Sequence, residues 1–172
     1  TQPTQPGAIH VYGKSANGTW GQAARIDAGT RAEDGDGFGR SMASNGQLVA
    51  VATSRQRVDL FRVQADGNLM YDNSLQGGDD GFGTHVAVAG NRVFITTGAP
   101  TMPARVQVWR PGSDGVWELE SELASPDGAA DDGFGTVMAA GETHILIGAP
   151  AANEAAGAVY AFSLDETSGM WS

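Results

Sequence analysis

Residues 77–100 read GGDDGFGTHVAVAGNRVFITTGAP and contain a tetrapeptide that the chain spells three times. Asp-Gly-Phe-Gly occurs at 36–39, 80–83 and 132–135, which places its phenylalanines 44 and 52 residues apart. Two further markers recur in the same order: Gly-Ala-Pro, at 98–100 and 148–150 with Ala-Thr-Ser in the matching place at 52–54, and Gly-x-Trp, at 18–20, 115–117 and 169–171 with Gly-Asn-Leu at 67–69. These markers establish an internal repeat of about 50 residues.

Each repeat has the pattern of four short strands. The segment WELESELAS at 117–125 alternates, with Trp117, Leu119 and Leu123 on one face and three glutamates on the other, which predicts an outer strand with one exposed face. The segments RVFITTGAP and HILIGAP are apolar without alternation, which predicts strands covered on both faces. The small residues after each phenylalanine predict innermost strands that begin near Phe38, Phe82 and Phe134. Four antiparallel strands per repeat are typical of a β-propeller blade.

The order of these markers resembles the FG-GAP repeat, which builds the propeller of integrin α subunits and of many bacterial surface proteins. The resemblance covers residues 7–172 and implies an all-β fold, in which each phenylalanine packs between blades and the glycine beside it permits close backbone contact. Integrin repeats often hold calcium in the hairpin between the first two strands. The corresponding hairpins here, at 44–47, 89–92 and 140–143, are nearly free of carboxylates, so the resemblance predicts no calcium there.

The strand count predicts about three and a half blades. Residues 1–6 form an N-terminal extension, and the predicted propeller segment 7–172 divides into a partial blade at 7–28, blades at 36–76 and 80–124, and an incomplete blade at 132–172. Closed propellers have at least about four blades, so we expect the rest of the ring to come from a longer chain or from further copies of this one. The outer strand of the last blade should begin near Trp171 and is incomplete in this sequence, which favours the longer chain.

Composition excludes several classes of function. Twenty acidic and ten basic residues give a formal net charge of −10, which repels nucleic-acid backbones. The absence of cysteine excludes disulfides, thiol nucleophiles and thiolate metal sites. No apolar run is long enough to span a membrane, so we expect no membrane span.

The candidate site residues favour structural roles. Each acidic cluster before a phenylalanine supplies too few carboxylates for calcium, and its aspartates are expected to accept hydrogen bonds from turn amides. The histidines lie in different strand types and do not form a zinc site, although His85 could face the central channel. Trp109 lies outside the Gly-x-Trp pattern and is the better ligand-contact candidate among the tryptophans. Asn17 lies in a formal glycosylation sequon, Asn-Gly-Thr at 17–19, but the Asn-Gly pair is better explained as a hairpin turn. Glu118, Glu120 and Glu122 lie on the predicted outer strand, where charged side chains discourage edge-to-edge association. The acidic clusters comprise Glu33, Asp34, Asp36, Asp79, Asp80, Asp131 and Asp132, and the histidines are His10, His85 and His144.

The sequence therefore predicts no catalytic, cofactor-binding or metal-binding residues. It favours a non-catalytic module outside the cell, for recognition, adhesion or structure, that binds a protein or a glycan through loops at the propeller rim. The variable loops are 29–36, 53–57, 99–105, 125–132 and 149–157. A carbohydrate-binding lectin and the propeller portion of an exported hydrolase are the alternatives.

Overall fold

The computed structural model describes residues 7–27, 35–78, 81–98 and 101–172. These residues form fourteen strands and one short turn of helix, with the following bounds: β1 Ala8–Lys14, β2 Trp20–Asp27, β3 Met42–Ser44, β4 Leu48–Ala52, β5 Arg57–Val63, β6 Leu69–Gln76, β7 Val86–Ala89, β8 Arg92–Thr97, β9 Arg105–Pro111, β10 Trp117–Ala124, β11 Val137–Ala140, β12 His144–Ala149, α1 Ala152–Ala155, β13 Ala158–Asp165 and β14 Met170–Trp171. No helix in the described ranges has the length and apolarity needed to cross a membrane.

The strands pair in sequence order as antiparallel sheets. A two-stranded sheet, β1-β2, is followed by three four-stranded sheets, β3 to β6, β7 to β10 and β11 to β14. We call these the half-blade, blade 1, blade 2 and blade 3. The predicted all-β fold of four-stranded propeller blades, about three and a half in this chain, is confirmed. The last outer strand, β14, has two residues and pairs with Leu164 and Asp165.

The innermost strands begin later than predicted. β3, β7 and β11 start three or four residues after Phe38, Phe82 and Phe134, because the Asp-Gly-Phe-Gly tetrapeptide is itself a turn in which both glycines have positive φ. The phenylalanine of each turn is nevertheless buried, with 3% of its surface exposed. Phe82 belongs to a core cluster that contains residues of blade 1 and blade 2, as expected for a side chain between blades.

The glycine after each phenylalanine brings the turn against the preceding blade. A Cβ on Gly83 would lie 3.3 Å from side-chain atoms of Ala52 and Val58 in blade 1. A Cβ on Gly135 would lie 2.7 Å from Oγ1 of Thr96 in blade 2, and that hydroxyl donates a hydrogen bond to the carbonyl of Gly135. The predicted close contact at this glycine therefore lies at the interface between consecutive blades.

One strand predicted to be covered on both faces is not. β4 and β8 are almost entirely buried because each lies between two blades. In β12, by contrast, exposed and buried residues alternate: His144 and Leu146 are exposed, whereas Ile145 and Ile147 are buried. The face of blade 3 that points away from blade 2 has no described blade against it, and Leu146 and His144 are exposed for this reason.

The hairpin residue Asn45 is also less isolated than its position suggests. Its place in an exposed hairpin predicts that a substitution changes the free energy of unfolding by no more than about 0.5 kcal/mol. In the structure its amide nitrogen donates to the carbonyl of Gly90 in blade 2 at 2.7 Å, and its Oδ1 accepts from the amides of Gln47 and Leu48. Asn45 therefore joins two blades, and it is not a neutral control.

We predict that Phe82→Ala lowers the free energy of unfolding by about 3–5 kcal/mol, because it leaves a cavity between blades 1 and 2. Ser113→Ala, in an exposed hairpin turn, should change it by no more than about 0.5 kcal/mol. Chemical denaturation followed by tryptophan fluorescence measures both. Equal midpoints and equal slopes for the two variants would contradict the packing described for Phe82.

Two glycines of similar backbone conformation separate the effect of blade contact from that of φ. Gly135 and Gly115 have φ of 83° and 81°, but a Cβ on Gly115 would meet nothing within 4 Å. Both alanine variants bear a conformational cost of about 1–2 kcal/mol. Gly135→Ala should cost about 1–3 kcal/mol more, because its Cβ overpacks the interface. The same denaturation experiment measures the difference, and similar losses would mean that the contact is not tight.

Candidate functional site

The loops that the sequence singles out meet at one end of the blades. The first glycine of each Asp-Gly-Phe-Gly turn contacts the segment that follows the second strand of its own blade: Gly37 faces Ser54, Gly81 faces Gly98, and Gly133 faces Pro150. We call this end the rim. Residues 53–57, 101–105, 125–132 and 149–157 of the predicted ligand loops are described there, whereas 29–34 and 99–100 lie outside the described residues.

A cleft of about 200 Å³ opens at the rim between blades 2 and 3. Blade 2 lines it with residues that include His85, Thr97 and Met102, and blade 3 lines it with Phe134 and Thr136. The loops 99–105 and 125–132 both contribute to its walls, through Met102 and Ala130. We call it the rim cleft.

The rim cleft contains a hydroxyl group without a partner. Thr97 is 2% exposed, and its Oγ1 makes no hydrogen bond within the part of the chain that the structure describes. The hydroxyls of Thr84 and Thr136, in contrast, donate to the carbonyls of Gly81 and Gly133. The structure corrects the match of the tripeptides: the second glycine of each Asp-Gly-Phe-Gly turn donates to Ala52, Thr96 or Gly148, so Gly-Ala-Pro 98–100 lies two residues later in its blade than 52–54 and 148–150 do in theirs. Thr53 therefore holds the place of Thr97 in blade 1, and it accepts a hydrogen bond from the amide of Arg55 at 3.2 Å. A buried hydroxyl left unpaired costs about 1–3 kcal/mol, a cost that a bound polar group removes.

His85 adds a neutral imidazole to the same cleft. Burial lowers the pKa of His85 from its ordinary value of 6.5, and the positive charge of Arg40 lowers it further. The ring is therefore uncharged at pH 7 and offers one hydrogen-bond donor and one acceptor. A hydroxyl and a neutral imidazole between apolar walls suit an uncharged ligand with hydrogen-bonding groups.

The acidic turns have different partners in different blades. Asp132 accepts a hydrogen bond from the amide of Ala129 at 2.6 Å, as predicted for a turn. Asp36 is fully buried and pairs instead with the guanidinium of Arg57 at 2.6 Å. Asp131 is exposed, and Glu33, Asp34, Asp79 and Asp80 lie outside the described residues. Within the described ranges, no three His, Asp or Glu side chains come close enough together to hold a metal ion.

The glutamates of β10 do not share one exposed face as predicted. A β-bulge between Leu119 and Ser121 shifts the register with β9, so Leu119 is 44% exposed and Glu120 turns inward. The Glu120 side chain is 8% exposed. Equivalent bulges occur in the half-blade and in blade 1, where Asp72 takes the place of Glu120 and pairs with Arg62. The alternation in the sequence therefore does not reveal the β-bulge, which recurs in the outer strand pair of the half-blade, blade 1 and blade 2.

Glu120 joins blade 2 to blade 3. Its carboxylate accepts two hydrogen bonds from Arg92, at 2.6 and 2.8 Å, and one from Nε1 of Trp171 at 3.2 Å. Arg110 lies 3.0 Å from it. The Trp171 ring also packs edge-on against Phe94, and the Arg92 guanidinium lies 5.9 Å from the ring centroid. Burial raises the pKa of Glu120, but the hydrogen bonds from Arg92 and Trp171 outweigh it, so the pKa lies below its ordinary value of 4.5.

The remaining candidates have structural contacts. Glu118 pairs with Arg110, and Glu122 pairs with Arg105 and Gln107. Trp109 packs against the core between blades 1 and 2 and donates its Nε1 hydrogen to Gln107, so it does not line the rim cleft. His10 is exposed on β1. Thr97, which the sequence analysis missed, is marked by its position immediately before Gly-Ala-Pro, at the end of an apolar strand.

Comparisons with known proteins support the repeat and the fold. The FG-GAP repeat family model matches residues 117–162. A protein from Lactobacillus plantarum is similar in structure, with a TM-score of 0.62 and 14% identity over 96% of this chain. Sqt1 of Saccharomyces cerevisiae is similar with a TM-score of 0.56 and 13% identity over 82% of this chain. At these identities the likeness is one of fold alone. No curated protein matches the chain in sequence.

The solved structures are longer than this chain. The chain spans 47% of the Lactobacillus plantarum protein and 35% of Sqt1.

We predict that Glu120→Gln lowers the free energy of unfolding by about 2 kcal/mol at pH 7, because it removes the charged acceptor of the bonds from Arg92 and Trp171. Because the native pKa of Glu120 lies below 4.5, this contribution is complete above that pH and is lost as the pH falls through the native pKa. The difference in free energy of unfolding between the original chain and the variant should therefore become smaller as the pH falls. Chemical denaturation at several pH values measures this difference.

Glu118→Gln is the matched control on the same strand. Its side chain is 51% exposed, and an exposed ion pair contributes less than about 1 kcal/mol. Equal losses for the two variants at pH 7, or a gap for Glu120→Gln that does not change with pH, would show that the Glu120 carboxylate does not hold the interface.

Proposed function

We propose that this chain, whose β-propeller blades include a match to the FG-GAP repeat at residues 117–162, is a non-catalytic recognition module that works outside the cell and binds its ligand at the rim cleft. The ligand is a glycan or a segment of a protein that presents uncharged hydrogen-bonding groups. The rest of the module, in this proposal, is a rigid scaffold that fixes the distance between the loops of blades 2 and 3.

The observation that carries the proposal is the unpaired hydroxyl of Thr97. Most buried polar groups in proteins have a hydrogen-bond partner, so an unsatisfied one beside an open cleft is a reason to look for a ligand. The neutral ring of His85 supplies a second polar group in the same cleft, and Met102 and Phe134 supply apolar contact. A few polar groups between apolar walls are typical of binding sites for small molecules and for sugars or peptide segments.

A lectin is the more specific form of the proposal. Sugar hydroxyls both donate and accept hydrogen bonds, and the groups in the cleft, a threonine hydroxyl and an uncharged imidazole, do the same. A charged ligand finds no ion-pairing partner in Thr97 or His85. The formal net charge of −10 also disfavours anionic ligands over the chain as a whole.

The hydrolase alternative needs a carboxylate with a raised pKa near a cleft. Glu118, Glu120 and Glu122 are held in ion pairs with arginines, and the pKa of Glu120 is lowered, which is the wrong direction for a general acid. These contacts support the non-catalytic form of the proposal.

The location outside the cell rests on the resemblance to FG-GAP repeats of surface proteins. Protease treatment of intact source cells tests it: a module at the surface is cleaved or released, whereas one inside the cell is protected until the cells are opened.

A glycan array tests the binding proposal with the 172-residue chain and two variants. Thr97→Val removes the hydroxyl and keeps the shape, and we expect it to weaken binding of any captured glycan about tenfold or more, because the lost hydrogen bond is worth at least about 1.4 kcal/mol. Thr53→Val is the matched control, because it changes the equivalent threonine of blade 1, away from the cleft. The bound glycans should be recovered unchanged.

The outcomes separate the candidates. Binding that both variants retain would place the site away from the rim cleft and contradict the proposal. Hydrolysis of an arrayed glycan would favour the enzyme. If no glycan binds, the lectin form is wrong, and a protein segment is the ligand to seek.

A further inference from the structure

The chain contains two Asn-Gly pairs, Asn17-Gly18 and Asn45-Gly46, and both lie in exposed hairpin turns. Gly18 and Gly46 have φ of 86° and 88°, so the backbone has nearly the same conformation at the two glycines. In each turn the asparagine Oδ1 accepts a hydrogen bond from the amide two residues later, at 3.1 Å. The two turns therefore match in sequence and in local geometry.

An Asn-Gly pair reacts with itself and with water. The glycine nitrogen attacks Cγ of the asparagine, the Cγ–N bond forms, the Cγ–Nδ2 bond breaks, and Nδ2 leaves as ammonia with the proton of the glycine amide. Water then opens the cyclic imide at either of its carbonyls, and the product is an aspartate or an isoaspartate with one new carboxylate. Glycine favours the attack because no Cβ crowds its nitrogen.

The two asparagines differ in what holds the leaving nitrogen. Nδ2 of Asn45 donates a hydrogen bond to the carbonyl of Gly90 in blade 2, at 2.7 Å. Nδ2 of Asn17 makes no hydrogen bond among the residues that the structure describes. The attack on Cγ requires the amide group to leave its place in the turn and to free Nδ2. At Asn45 this step breaks a contact between two blades, whereas at Asn17 it breaks contacts within one hairpin.

A carboxylate fits the turn at Asn17. The outer hairpins of blades 1 and 2 have Asp66 and Asp114 at this place, and each aspartate accepts a hydrogen bond from the amide two residues later, as Asn17 does. Conversion of Asn17 to aspartate therefore produces a turn that the chain already uses twice.

A carboxylate does not fit at position 45. It has no hydrogen to donate to the carbonyl of Gly90, and it places a negative charge beside that oxygen. Asn45 and Glu142 also line the same cleft of about 310 Å³, so the new charge is repelled by that of Glu142. Blades 2 and 3 have Ala89 and Gly141 at this place, neither of which carries a charge. Conversion of Asn45 therefore weakens the interface between blades 1 and 2.

We propose that Asn45 is a deamidation site that the contact with blade 2 protects, and that its modification releases this contact. The reaction proceeds when blades 1 and 2 separate locally at the hairpin, and the carboxylate that it creates opposes their return. The conversion of Asn45 thus records how often this interface opens, and Asn17 reacts in the same chain without such an opening. This hairpin lies at the opposite end of the blades from the rim, and its chemistry needs no ligand.

Peptide mapping by mass spectrometry tests the proposal on the 172-residue chain in mildly basic buffer. The conversion rate of each asparagine in the native chain is divided by its rate in concentrated urea, where both turns are unfolded. We expect this ratio to be about fivefold lower or more for Asn45 than for Asn17, which corresponds to about 1 kcal/mol, the net value of one hydrogen bond. Equal ratios, or a higher ratio at Asn45, would overturn the proposal.

Phe82→Leu loosens the same interface without changing a residue of either turn, because Phe82 belongs to the core cluster shared by blades 1 and 2. It should raise the conversion rate of Asn45 severalfold and leave that of Asn17 unchanged. Urea below the unfolding transition is a second way to open the interface and should act in the same direction. If both treatments change the two rates alike, or if Asn45 fails to react under either, the contact with blade 2 does not control the site.

The effect of the product is measured separately. Asn45→Asp carries the new carboxylate from the start, and it should lower the midpoint of chemical denaturation. Asn17→Asp is the matched control on an Asn-Gly turn of the same conformation, and it should leave the midpoint unchanged. Equal midpoints for the two variants would show that modification of Asn45 does not release the interface.

Discussion

The fold depends on the close approach between each Asp-Gly-Phe-Gly turn and the blade before it. The phenylalanine is buried between blades, and the glycine that follows leaves no room for a Cβ where Gly135 meets Thr96. Positive φ at both glycines turns the chain so that the phenylalanine points back while the inner strand goes forward. The position of each blade, and of its rim loops, follows from this contact, because the turn fixes the blade against its predecessor.

The strand order and the role of the repeated residues were predictable from the sequence, because they are local and recur. The burial of β12 was not, since the apolar run His144–Ala149 has the same pattern whether or not another blade covers its second face. Glu120 was mispredicted because a bulge adds one residue to a strand and inverts the alternation beyond it. In the candidate site, the loops were predictable as variable segments, but the unpaired hydroxyl of Thr97 was not. Whether a buried hydroxyl has a hydrogen-bond partner is decided by the tertiary structure, not by the local sequence.

The Arg92–Glu120 pair shows how a repeat can distinguish its own interfaces. Blade 1 has the buried Leu48 in the position of Arg92, and Leu48 and Trp117 belong to the same core cluster. Replacing a buried apolar contact with an ion pair adds little net stability, because both charges lose water. What the pair adds is a requirement for a hydrogen-bond donor in the next blade, which Nε1 of Trp171 meets. Leu69, in the same outer-strand position of blade 1, has no such donor. The pair therefore disfavours a blade such as blade 1 as the successor of blade 2.

This position differs in every blade: Leu48, Arg92 and His144 follow one another along the chain. If each interface were the same, blades could exchange places with little loss, as identical repeats can. An apolar contact, an ion pair and an imidazole instead require different neighbours, while the buried phenylalanine and its glycine remain constant. The constant residues hold the blades together, and the variable position sets their order. In blade 3 this position is His144, which is exposed because no described blade lies against that face.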